Sequence, residues 1–179
     1  LPIIISAFLV FNYTLAAKRY TLILAGFLLS LAFLLKIVAI FDLAAFFLFL
    51  FFIYQWKKKK YINQIKQFSL RVLPMVLVFS LPIFIVSLFF FAKGILADFL
   101  TATFSQNVNY VDVGNKLLIS QGLLIFKLLL LTGFISLFYR MRSRLTKPQL
   151  FMMLWLATAL FNAFFAGRPY THYLLVLLP

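Results

Sequence analysis

Between Tyr20 and Trp56 the chain is apolar almost without interruption, with Lys36 and Asp42 its only charged residues. A single helix of that length would measure roughly 55 Å, against a bilayer hydrocarbon core of about 30 Å. The stretch therefore folds back on itself as two helices, Tyr20–Leu35 and about Leu43–Trp56, with Lys36–Asp42 at the bend. The bend also keeps Lys36 away from a bilayer midplane, where an insertion cost of roughly 3 kcal/mol would apply.

The rest of the chain repeats this alternation of greasy run and charged break. Leu1–Ala17 is apolar and ends at Lys18 and Arg19; Lys57–Lys60, Lys66 and Arg71 form the strongest basic loop. A fourth run covers about Val72–Phe91, where Pro82 is expected to kink the helix. Lys93–Lys116 is the longest polar stretch, and Ile95–Phe104 within it fits a short interfacial helix. A fifth run covers about Leu117–Tyr139, followed by Arg140, Arg142, Arg144, Lys147 and Pro148; a sixth covers about Gln149–Ala166, and Leu174 opens a seventh. Asn12-Tyr13-Thr14 matches a glycosylation sequon, but its apolar setting argues against modification.

Composition agrees. Hydrophobic residues make up 65% of the 179 and charged residues 11%, with a mean hydropathy of +1.09. Soluble domains are about half apolar and a quarter charged, so the expected fold class is an all-α polytopic membrane protein. It has about six spans plus the start of a seventh, and residues 1–179 form part of a single transmembrane helical domain. The start at Leu1 and the stop at Pro179 suggest a fragment truncated at both ends. Net charge is +14, yet the cations fall between apolar runs and not along one face, which argues against nucleic acid as a partner. No cysteine is present, excluding disulfides and thiol chemistry.

Twelve of the 17 basic residues fall in alternate loops: Lys18 and Arg19, then Lys57–Lys60, Lys66 and Arg71, then Arg140, Arg142, Arg144 and Lys147. The other loops hold Lys36, Lys93, Lys116 and Arg168 with all three acids. By the positive-inside rule the first set is cytoplasmic and the second extracytoplasmic. Lys127 falls near the middle of its run, where pairing inside the bundle or snorkelling is expected.

The outer set gathers Lys36, Asp42, Asp98, Asp112, Arg168, Tyr170, His172 and Tyr173. Cations at headgroup level suit an anionic lipid: Arg168 offers a planar donor fork, Lys36 a point charge, and His172 a donor or proton shuttle. Asp42 or Asp112 can act as a base or orient an acceptor hydroxyl. Plainer readings stand beside these. Lys36 and Arg168 are snorkelling anchors, Tyr170 and Tyr173 belong to an aromatic belt, and Asp42 caps the third helix. His172 is then a polar loop residue, the lysine run a topology signal, and the Phe-rich runs lipid-facing or packing surface.

Two segments resemble glycosyltransferase family 39. Gly26, Ser30, Ala32 and Lys36, within Ala25–Lys36 and followed by Ile37–Asp42, resemble that family's G-x-x-x-G-x-A-x-x-x-K hairpin, with Ser30 in place of the second glycine. Gly167-Arg168-Pro169-Tyr170-Thr171-His172-Tyr173-Leu174-Leu175-Val176-Leu177-Leu178-Pro179 resembles its GR-x-Y-x-HYLL-x-LLP segment. Together the two cover about a sixth of the chain. The family includes dolichyl-phosphate-mannose protein mannosyltransferases and lipid A aminoarabinose transferases.

The resemblance implies a GT-C fold and transfer of a sugar from a polyprenyl-phosphate donor to a protein, lipid or glycan acceptor outside a bacterial plasma membrane. It implies that Lys36 and Arg168 contact the donor phosphate, with His172 and Tyr170 nearby; Asp42, Asp112 and Tyr173 are the candidate accessory residues on the same face. No cofactor or metal is expected. The family's catalytic aspartate belongs to a loop before the hairpin, expected upstream of Leu1, so residues 1–179 alone are expected to be inactive. Two other classes stay open: a transporter or flippase of lipid-linked sugars, for which no internal repeat speaks, and a non-enzymatic membrane scaffold.

Overall fold

A computed structural model describes residues 1–54, 61–105 and 122–165. Every regular element among them is helical. In order these are α1 (Pro2–Ala16), α2 (Arg19–Leu35), a 3-10 turn (Ile37–Ala39), α3 (Ile40–Ile53), α4 (Tyr61–Ala92), α5 (Leu96–Leu100), a π turn (Thr101–Ser105), α6 (Gly122–Met141) and α7 (Lys147–Phe165).

The expected hairpin is present, and its turn is tighter than the sequence implies. Lys36 takes an extended backbone (φ −153°, ψ 111°) and a single 3-10 turn leads directly into α3. Asp42 therefore lies inside the first turn of α3, not in the bend. It is not a cap either: Ala39 holds the N-cap position, without a side-chain bond. The two arms do not pack along each other. α2 lies between α1 and α4, whereas α3 packs on α7, which also carries α6.

Small residues explain why α2 takes the central place. Ala25, Ser30 and Ala32 are buried on it, and a Cβ added at Gly26 would collide with the backbone carbonyl of Met75 on α4. On the α1 side, the Ser6 hydroxyl lies 2.8 Å from the Pro2 carbonyl and 3.3 Å from that of Ala25. The other layer is aromatic. Phe49 of α3 and Phe151 of α7 meet edge to face at 4.9 Å, and Phe11 of α1 lies 5.9 Å from Phe151. Such pairs add about 0.5–1.5 kcal/mol beyond area burial.

Helix ends depart from the apolar runs. α4 begins at Tyr61 and passes unbroken through Pro74 and Pro82. Lys66 and Arg71, expected in a loop, are thus in its first three turns, and Pro82 does not interrupt it. Polar side chains there fall within the helix and do not mark its end. At the far end Gly94 adopts φ +73°, with its N–H 2.9 Å from the Phe91 carbonyl and that of Ile95 3.1 Å from the Phe90 carbonyl. This is a Schellman close, and it frees the chain for α5. The expected Ile95–Phe104 helix is present as α5 and the π turn, from Leu96 to Ser105 with Ile95 as N-cap; Phe99 stacks on Phe90 at 4.4 Å.

α7 starts at Lys147, two residues before the apolar run. The Thr146 N–H donates to Gln149 Oε1 at 3.0 Å and the Gln149 N–H donates back to Thr146 Oγ1 at 3.5 Å, the reciprocal capping arrangement, with Pro148 in the first turn where a proline is tolerated. α6 extends to Met141, past the expected end at Tyr139. The start of the fifth expected run, Ala166 and the seventh run lie outside the described residues.

Among the described residues, α4 is the helix long and apolar enough to cross a membrane, judged by length and composition. α1, α2 and α3 are apolar but shorter, at 15, 17 and 14 residues. Large apolar side chains remain exposed along α1, α4 and α6, including Phe8, Phe84, Phe89 and Leu129, while Phe46 and Phe49 are fully buried. The Phe-rich runs thus serve both surface and core.

Candidate functional site

The hairpin end carries the two predicted site residues that the structure describes. Lys36 is exposed just beyond the last turn of α2. Its N–H donates to the Ala32 carbonyl at 2.8 Å and its own carbonyl accepts from Ala39 at 3.0 Å, so its backbone is fixed while its ammonium is free to reach outward. A cation at a helix C-terminus is also favoured by the helix dipole.

Asp42, six residues on, faces the other way. It is 9% exposed, and its Oδ1 accepts the indole N–H of Trp155 on α7 at 2.7 Å. Its carboxylate is therefore committed to α7 and does not neutralise Lys36. Asp42 also occupies the first turn of α3, where the helix dipole favours negative charge.

α3 and α7 run antiparallel. Phe46 meets Trp155 at 5.6 Å, and nearer the bend Phe41 meets Phe161 at 5.5 Å. The C-terminal end of α7 consequently lies beside the bend, at the Lys36 end of the bundle. Two buried polar side chains of α7 accompany this seam. Asn162 is 7% exposed, and the Thr158 hydroxyl donates back to the Leu154 and Trp155 carbonyls at 3.2 and 2.9 Å.

Sequence reasoning singled out neither Trp155 nor Asn162. A lone indole and a lone amide inside an otherwise greasy helix were the available signals. Arg168, Tyr170, His172, Tyr173 and Asp112 lie outside the described residues.

The opposite end of the bundle is basic. Lys147 Nζ donates to the Thr14 carbonyl at 3.2 Å, bringing the start of α7 to the end of α1. Arg71 lies over the Tyr54 ring at 5.3 Å, and the Tyr54 hydroxyl is 3.3 Å from Gln67 Oε1, bringing the end of α3 to the start of α4. Arg142 stacks on Tyr139 at 3.8 Å where α6 turns into α7. Lys18, Arg19, Arg71, Arg142 and Lys147 thus gather one helix length away from Lys36. Asp98 is exposed on α5.

No protein family, curated protein or solved structure matches this chain.

Proposed function

We propose that the chain forms part of a polytopic membrane glycosyltransferase, which moves a sugar from a polyprenyl-phosphate donor to an acceptor on the extracytoplasmic side of a plasma membrane. The observation that carries this reading is the exposed Lys36 ammonium, un-neutralised by Asp42, at the end of the bundle where α7 finishes. Gly167–Tyr173 follows α7 within a few residues, and Arg168, Tyr170 and His172 belong to it. The apolar exterior and the basic opposite end support a membrane setting with the Lys36 end outside.

In this reading the donor phosphate is held by Lys36 as a point charge and by Arg168 as a two-pronged donor, with Tyr170 and His172 alongside. The polyprenyl tail runs between apolar helices. An acceptor hydroxyl oxygen bonds to the sugar's anomeric carbon as the bond from that carbon to the phosphate oxygen breaks. Polyprenyl phosphate leaves with the electron pair, its added charge balanced by the two cations, and the acceptor proton passes to a base. Asp42, tied to Trp155, is a positioning residue that fixes α7 against the hairpin.

Alanine at Lys36 or Arg168 in the full-length protein tests this. Each hydrogen bond to a charged group contributes about 1.5–3 kcal/mol, so sugar transfer falls at least tenfold while membrane insertion is unchanged. Unaltered transfer in both variants, or movement of lipid-linked sugar across the membrane with no glycosidic bond formed, would overturn the proposal.

A further inference from the structure

The basic end of the bundle contains a cavity that the proposed transfer reaction does not use. It measures about 670 Å³ and is built from four helix ends: the last turn of α1, the end of α3, the start of α4 and the start of α7. Arg71 and Lys147 line it, together with the amides of Gln64 and Gln67 and the Tyr54 hydroxyl. Among the described residues no carboxylate lines it, and two cations face it. The Arg71 guanidinium is steadied by the Tyr54 ring, and Lys147 by the Thr14 carbonyl. An adjoining cavity of about 350 Å³ shares Gln67 and Arg71 and adds Arg19.

We propose that this cavity is a binding site for the phosphate headgroup of an anionic phospholipid, on the membrane face opposite Lys36. The Arg71 guanidinium, the Lys147 ammonium and the Gln67 side-chain N–H groups supply the donors that a phosphate diester accepts from. Leu50 and Ile53 give the cavity an apolar wall, and Ile62, Ile65 and Leu70 stand exposed on the adjoining turns of α4. That surface is suited to acyl chains and unsuited to a free, fully hydrated anion. The inference rests on the membrane setting proposed above.

The test uses the full-length protein in nanodiscs of phosphatidylcholine doped with phosphatidylglycerol, with retained lipid read by native mass spectrometry. The unmodified protein retains phosphatidylglycerol in preference to phosphatidylcholine. Arg71→Gln and Lys147→Gln each weaken that preference about fivefold, as expected for one cation at a membrane surface. Gln67→Glu keeps the side-chain shape and its acceptor for Tyr54, but adds a negative charge to the cavity; it abolishes the preference and reports even if the cation variants fold poorly. Arg140→Gln, at the same end but outside the cavity, leaves the preference within twofold.

An equal loss in Arg140→Gln would mean diffuse attraction and would overturn the site. So would displacement of the lipid by millimolar inorganic phosphate, which would assign the cavity to a soluble anion. The membrane reading fails separately, by release of the chain from membranes in alkaline carbonate.

Discussion

Gly26 decides how closely α2 and α4 approach. A methyl group there meets the Met75 backbone, which cannot rotate aside as a side chain would. Gly26→Ala is therefore expected to destabilise the protein: overpacking costs about 1–3 kcal/mol, more than the roughly 1 kcal/mol of helix propensity that alanine gains. Ser30, four residues on, is the opposite case. Its hydroxyl is fully buried and is the one buried side-chain atom without a hydrogen-bond partner among the described residues. Ser30→Ala removes an orphaned polar group and should raise stability by about 1 kcal/mol. Thermal unfolding in detergent distinguishes the pair, and a Gly26→Ala protein at least as stable as the parent would contradict the packing described. The spacing of Gly26, Ser30, Ala32 and Lys36 was legible as a pattern; its physical meaning, a close helix approach ending in an exposed cation, needed the neighbour. Asp42 was not legible in the same way. A cap and a buried carboxylate look alike in sequence when the partner, Trp155, is 113 residues away.

Helices as units were easier to read than their ends. The hairpin followed from length alone, because one helix of that span has no membrane or small core to fit. Hydropathy then located the apolar middle of α4 and α7 but missed their polar first turns, since helical hydrogen bonding does not stop where water begins. The Thr146–Gln149 pair was a readable start signal that the apolar pattern overshadowed. Thr146→Ala should cost about 1 kcal/mol and speed amide exchange at Gln149 about fivefold. Unchanged exchange there would mean that Lys147 and its contact with Thr14 hold the start of α7 unaided.

For the molecule as a whole, the charge alternation predicted in the sequence is matched by the separation of Lys36 from the cluster around Arg71 and Lys147. The absence of cysteine makes this directly measurable. In a set of single-cysteine proteins, an impermeant maleimide added from outside should modify positions 36 and 168 but reach position 144 only after permeabilisation. Positions 36 and 168 reacting from opposite sides would end the proposed donor site. Half of that site was visible to sequence reasoning only as a motif, because nothing local relates residues on either side of the long stretch of chain from α3 to α7.

The parting of the hairpin arms also sets a timetable for biogenesis. α2 finds α1 already made and α4 soon after, whereas the Asp42 partner on α7 is translated 113 residues later. At about 5–20 residues per second the ribosome needs roughly 6–23 s to deliver it. Through that interval Asp42 on α3 lacks its Trp155 partner, so the nascent protein is expected to complete its two layers in succession, with the Lys36 end the last to close.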